Sequence, residues 1–221
     1  MEGWLTRMER IGALWRHDGN PKRPYPQLTS GLIADTYCEC EKLFAHRALF
    51  QEAVESLISE MRQKEGFPRD DRRIVFAPRE GGKKLADEIA RQLSCASIGA
   101  RWAGADKKTM ILDDGAEKVL QPATAVIAGD DILSTGLSLS AALQALRARA
   151  PVGMRCKIPL IYCIGNFYEY PIFEGLSIAS LFTIGVRRWK RGENPYTADR
   201  QERVAPVRPE GNWDALVREY P

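Results

Sequence analysis

The stretch from Ala125 to Leu143, AVIAGDDILSTGLSLSAAL, packs a strand, two adjacent acids, a small-residue turn and a helix start into nineteen positions. Ala125 to Ala128 is a short apolar run of the kind a buried parallel strand uses. It runs into Asp130 and Asp131, which places both acids at a strand's carboxyl end. Ser134, Thr135, Gly136, Leu137 and Ser138 follow, and then Leu139, Leu143 and Leu146 recur at helical spacing. A strand delivering a turn to a helix start is the unit of an α/β sheet. In such sheets ligands lie at the carboxyl ends of strands, where a helix N-terminus carries about half a positive charge. Acids after a strand also cap helices, and Ser/Thr/Gly turns are ordinary punctuation. Two acids are one more than a cap needs, however, and the turn behind them joins hydroxyls to a glycine. The local expectation is an anion site, for a phosphate, beside two carboxylates.

The same unit recurs upstream. Arg72 to Ala77, RRIVFA, is a β-rich run ending at Pro78-Arg79-Glu80-Gly81-Gly82, after which Leu85, Ile89 and Leu93 share one helical face. Paired glycines let a backbone approach a ligand closely, so that amides can converge on an oxyanion. Lys83 and Lys84 read as solvated helix residues. Further strands are expected at Cys95 to Trp102, at Cys156 to Gly165 with Pro159 interrupting, and at Gly175 to Ile184. Ala103 to Pro122 shows little apolar order, and so long a connection suggests function. Before these units come an amphipathic helix over Met1 to Trp15, a Gly/Asn/Pro-dense loop, a strand around Ile33 to Cys38 and a helix through Ala48 to Arg62. The succession predicts a doubly wound, mainly parallel sheet flanked by helices with right-handed crossovers.

A chain of 221 residues, 44% hydrophobic and 28% charged, can bury a full core without disulfides. The expectation is one domain over 1–221. The five cysteines, Cys38, Cys40, Cys95, Cys156 and Cys163, include no CxxC pair and read as reduced thiols. No apolar stretch approaches a membrane span, and MEGWLTRMERIG lacks the apolar segment of a secretory signal, so a cytoplasmic protein without a membrane partner is expected. A formal charge of +3 does not point to nucleic acid. The basic run RRWKR, Arg187 to Arg191, sits in a charged, proline-rich tail over 185–221. Trp189 within it could stack on a base, lie on a solvated rim or form a dimer contact.

AVIAGDDILSTGLS resembles the phosphoribosyl pyrophosphate (PRPP) motif of type I phosphoribosyltransferases. The resemblance implies that family's fold, with 1–40 contributing to a small N-terminal hood and 185–221 a charged extension. It also implies transfer of ribose 5-phosphate from PRPP to a nucleobase, Mg²⁺ held mainly through PRPP near Asp130 and Asp131, and a homodimer. By position Asp130 and Asp131 would hold the ribose hydroxyls, and Ser134, Thr135, Gly136, Leu137 and Ser138 the 5′-phosphate. Arg79, Glu80, Gly81 and Gly82 would form the pyrophosphate loop. Arg101, Lys107 and Lys108 would act from a closing loop, and with the two acids they make up the implied catalytic set. Leu28-Thr29-Ser30-Gly31 to Tyr37 resembles the hood segment of orotate phosphoribosyltransferases, which assigns Ser30, Tyr37 and, from the tail, Trp189 to the base and makes an orotate-like base the first expectation. Departures occur at Gly129, where the motif has an apolar residue, at Leu137, where it has a small one, and at Thr29, Trp102 and Ala105, where the orotate enzymes have lysines. Two other readings stand beside transfer: a PRPP- or nucleotide-sensing regulator on the same fold without turnover, and an unrelated phosphate-binding α/β protein whose two acids bind a metal directly.

Overall fold

A computed structural model describes residues 2–69, 72–78, 81–104, 109–120, 125–149 and 157–219. The chain divides into two compact units, the first made of Met1–Leu43 with Gly185–Pro221 and the second of Phe44–Ile184.

The first unit opens with α1 (Trp4–Arg10), β1 (Leu14–Arg16), β2 (Ile33–Ala34) and β3 (Thr36–Cys38). The helix expected through Trp15 stops at Arg10 because Gly12 adopts φ +66°. The Gly12 amide donates to the Glu9 carbonyl and the Ala13 amide to that of Met8, the pair of bonds that closes a helix on a left-handed glycine. Leu14 and Trp15 are thereby released into β1, which pairs antiparallel with β3. Helix α2 (Cys40–Ala45) follows β3.

The second unit contains α3 (Arg47–Gln63), β4 (Arg73–Pro78), α4 (Gly82–Gln92), β5 (Ala96–Trp102), β6 (Met110–Leu112), α5 (Ala116–Val119), β7 (Ala125–Gly129), β8 (Ile132–Leu133), α6 (Leu137–Arg149), β9 (Leu160–Asn166), β10 (Ile172–Phe173) and β11 (Leu176–Thr183). Its sheet runs β10-β11-β9-β7-β4-β5-β6, with β8 also on β9. The five central strands are parallel and the two edges antiparallel, as the alternation of strand and helix predicts. Ile74, Phe76, Val126, Ala128, Ile161 and Cys163 on alternate positions join Leu139, Ala142, Leu143 and Leu146 of α6 in one core. The chain returns to the first unit for β12 (Arg188–Trp189), which pairs with β2, and α7 (Trp213–Val217). The tail over 185–221 is therefore built into a folded unit.

Three short strands of the second unit escaped the pattern reading. Within Ala103 to Pro122, Met110, Leu112 and Leu120 are buried, and β6 folds back on β5 with the Ala103 amide on the Thr109 carbonyl. A three-residue strand is too short to show period-two alternation. Strand β10 is missed for the same reason. Strand β8 corrects the placement of the acids: Ile132 and Leu133 pair with Gly165 and Asn166 in the register that Ala128 and Gly129 set with Ile161 and Tyr162. Asp130 and Asp131 thus interrupt a strand edge that resumes beyond them. Pro159 precedes β9 instead of interrupting it.

Candidate functional site

The parallel strands were laid down outward from β4 to β5 and then back across β4 to β7. That reversal makes the carboxyl ends of β4 and β7 the topological switch point of the sheet, the place where an open α/β fold holds its ligand. The turn after β4 starts α4 and the segment after β7 starts α6, so two helix N-termini open there.

The two segments touch through glycine. A methyl group on Gly81 would lie 2.6 Å from Asp131 Oδ1, and one on Gly82 would lie 2.9 Å from Asp130 Oδ1 and 2.8 Å from Ala77 Cβ. Any side chain there would push the acids away. The Gly82 amide, at the start of α4, hydrogen-bonds the Asp130 carboxylate. The Asp131 amide donates to Asp130 Oδ1 at 3.0 Å and the Ile132 amide to Asp131 Oδ1 at 2.9 Å, so both side chains are held by local amides. Burial, reinforced by the adjacent Asp131 charge, raises the Asp130 carboxyl well above the usual carboxylate range. A pair of close acids that share a site and resist double ionisation is suited to hydroxyls that donate hydrogen bonds to it.

Beyond the acids, Gly136 takes φ +74° and its carbonyl accepts the Ser140 amide, which makes it the N-cap of α6. The amides of Leu137, Ser138 and Leu139 then precede any intrahelical partner. Leu137 reaches the Thr135 hydroxyl at 3.5 Å, and its side chain stands 63% exposed. A large residue at that position therefore leaves the turn's amides in place. The Phe173 ring covers Gly136, with Cε2 2.1 Å from where a methyl would be. Glu174 fixes that ring's strand to α6 by accepting from the Ser140 hydroxyl at 2.5 Å and from Arg147 at 3.1 Å. Neither Phe173 nor Glu174 carries a sequence signal, because both lie more than thirty positions from the turn they support.

Of the remaining expected residues, Arg101 is exposed on β5 opposite Ile111, and Trp102 packs against the core. Arg79, Glu80, Lys107 and Lys108 lie outside the described residues. Lys83 pairs with Asp87 and reaches the Ser97 hydroxyl at 3.2 Å, the surface helix role expected of it. Ser30, Tyr37 and Trp189 belong to the first unit. Ser30 is exposed in a turn closed by the Gly31 amide on the Leu28 carbonyl. Tyr37 lies in β3 beside Trp213, ring centroids 6.1 Å apart. Trp189 is buried, edge-on to Tyr25 and Tyr196, with its indole N–H donated to Glu202. That ring is committed to packing. The four described cysteines are free thiols.

Neither a protein-family model nor a curated protein matches the sequence. Solved structures do match the fold. The orotate phosphoribosyltransferase of Aeropyrum pernix superposes with a TM-score of 0.59 at 17% identity, over 81% of this chain and 92% of that one. The adenine phosphoribosyltransferase of Thermoanaerobacter pseudethanolicus gives 0.57 at 14%, over 81% and 99%. The UMP synthase of Leishmania donovani gives 0.56 at 14%, over 82% of this chain and 36% of that one. The fold is that of the type I phosphoribosyltransferases. Asp130, Asp131 and Gly136 all follow β7, at the switch point of this fold. No helix among the described residues is long and apolar enough to cross a membrane.

Proposed function

We propose that this chain is a phosphoribosyltransferase, moving ribose 5-phosphate from PRPP to a nucleobase and releasing pyrophosphate. The observation that carries the reading is the meeting of Gly81 and Gly82 with Asp130 and Asp131 at the switch point, where an anion turn and a hydroxyl-binding acid pair stand in contact. Asp130 and Asp131 accept the ribose hydroxyls. The amides following Gly136, with Ser134, Thr135 and Ser138, take the 5′-phosphate. The Gly81–Gly82 turn, joined by Arg79 and Glu80, takes the pyrophosphate. Arg101, with Lys107 and Lys108, meets the negative charge that grows on the leaving group, while the ring carbon carries the positive charge.

Among the described residues no group of three His, Cys, Asp or Glu forms a metal cage. Two adjacent carboxylates suit a hydrated Mg²⁺ carried mainly by PRPP's own oxygens. When bound, that ion neutralises the pyrophosphate as it departs. The base is proposed to be orotate-like, on the strength of the Leu28 to Tyr37 segment; adenine enzymes share the fold as closely, so purines belong in the test. A second reading, PRPP binding without turnover, is favoured by Trp102, which packs against the core where the orotate enzymes have a lysine.

The deciding experiment incubates the protein with PRPP and Mg²⁺ and a panel of pyrimidine and purine bases, measuring pyrophosphate. Release with one base and none with the others is expected. PRPP binding without release for any base would establish the second reading, and absence of PRPP binding would overturn both.

A further inference from the structure

Tyr162 is a fully buried tyrosine to which the proposed reaction gives no task. It pairs with Gly129 across β9 and β7. A methyl on Gly129 would lie 2.5 Å from Cγ and Cδ2 of the Tyr162 ring and 2.3 Å from its carbonyl oxygen. The ring therefore occupies the space that the motif's usual apolar residue would fill from β7. Its hydroxyl donates to the Phe76 carbonyl of β4 at 3.2 Å. Since the sheet runs β9-β7-β4, the phenol crosses the whole width of β7, which is possible only because residue 129 has no side chain.

The Tyr162 carbonyl in turn accepts the Asp130 amide at 3.1 Å, so this one residue of β9 bridges the two strands that deliver the site. β4 leads from Phe76 to Gly81 and Gly82, and β7 leads from Gly129 into Asp130 and Asp131. We propose that Tyr162 is a positioning residue, setting the separation of the Gly81–Gly82 turn from the Asp130–Asp131 pair, and with it the fit to a ligand that touches both. A ribose bearing a pyrophosphate is such a ligand, so the inference rests on the PRPP reading. Ribose 5-phosphate alone engages only the acids and the α6 turn. Burial, with Asp130, Asp87 and Asp131 nearby, raises the phenol well above its ordinary range, so it remains a hydrogen-bond donor.

The test is Tyr162→Phe, which keeps the ring and removes the bond. Calorimetric binding of PRPP with Mg²⁺ is expected to weaken about five- to tenfold, while ribose 5-phosphate binding changes less than about twofold. Tyr162→4-aminophenylalanine, which restores a donor on the same ring, is expected to recover PRPP affinity, and a phenylalanine variant that does not fold would assign the hydroxyl's bond to stability instead of positioning. Equal weakening of both ligands, no change in either, or failure of the amino variant to bind PRPP like the wild type would assign Tyr162 to packing alone. Wild-type protein that binds neither ligand would instead overturn the PRPP reading on which the inference stands.

Discussion

The switch point of the second unit and the aromatic core of the first both gather polar side chains, by opposite means. At the switch point the determining feature is missing side chains. Gly81, Gly82, Gly129 and Gly136 each stand where a methyl would collide with an acid or a ring, and the resulting closeness leaves amides and carboxylates turned toward one another. In the first unit the space is filled instead. His17 stacks on Tyr25 at 3.7 Å, Trp189 lies edge-on to Tyr25 and Tyr196, and the Tyr196 hydroxyl donates to Asp35 at 2.5 Å. Asp35 also accepts from the Thr36 hydroxyl and the Arg187 amide, and Glu202 takes the Trp189 indole and the Gly192 amide. Polar ends that already have partners add rigidity to a core. Amides at a helix start that precede any partner are the ones a ligand can use.

That contrast breaks first, and most severely, at the acids. An Asp130→Asn, Asp131→Asn double variant removes the negative charge the pair shares, worth about 1.5–3 kcal/mol to each of two hydroxyl donors, so PRPP affinity is expected to fall at least about a hundredfold. Retained affinity would show that the acids do not read the ribose. The same change is expected to leave stability intact or improve it. Because the Asp130 carboxyl is raised in the fold, its contribution is fully present below the ordinary carboxylate range and is lost as pH rises through the raised value. Asp130→Asn removes that loss, so its melting temperature should exceed wild type at pH 8 and converge toward it near pH 4. A constant offset across that range would show that ionisation is not the cause.

Gly129→Ala comes next, at about 1–3 kcal/mol of lost stability in denaturant unfolding, because its methyl meets a backbone carbonyl that cannot rotate away. Gly3 supplies the control. It is the N-cap of α1, with φ −69° and nothing within 4 Å of a methyl, so Gly3→Ala meets no clash and should lose only the capping preference, below about 1 kcal/mol. If the two variants lose the same amount, the close approach of β7 to Tyr162 is wrong. A smaller effect is expected in the first unit. Trp189→Phe gives up the indole bond to Glu202 and part of a large ring, costing about 1 kcal/mol, yet it should leave PRPP affinity unchanged. A selective change in the apparent affinity for a base, with stability unaffected, would return Trp189 to base recognition.

How much of this could be read from the sequence follows the same division. The acids, the Ser134–Ser138 turn and the helix behind them lie within one short stretch, so strand pattern, turn chemistry and helical period all point the same way there. The parallel order of the sheet was legible from alternating strands and helices. The exchange between Gly129 and Tyr162 was not, because the two residues are brought together only by strand pairing. Gly129 did stand out as a departure from the motif, and a large residue on a neighbouring strand is what such a gap implies. In the first unit, Tyr25, Asp35, Trp189 and Tyr196 meet across more than a hundred and fifty positions, so Trp189 in a basic run read as a surface ring when it is a core one. Period and spacing carry no record of contacts made by chain return.

The smallest expected effect tests whether the first unit's polar ends are in fact used up. His17 Nδ1 accepts from the Gly19 amide at 2.9 Å, which leaves Nε2 to carry the proton and donate to the Arg23 carbonyl at 3.1 Å. A neutral ring satisfies both bonds, whereas an imidazolium would set a second N–H against the Gly19 donor. Burial is the main cause that lowers the His17 pKa, offset by the Arg23 carbonyl and by Asp18 and Asp35, with Arg23 adding to the lowering. A group lowered in the fold contributes stability above its unfolded value of 6.5 that is lost as pH falls below it. The melting temperature should therefore drop between pH 7 and pH 5 through this group. His17→Phe keeps a ring on Tyr25 but cannot titrate, so its profile should be flatter over that window. Parallel profiles for the two proteins would mean that the His17 bonds do not hold the neutral ring, and that the first unit retains a polar group open to another partner.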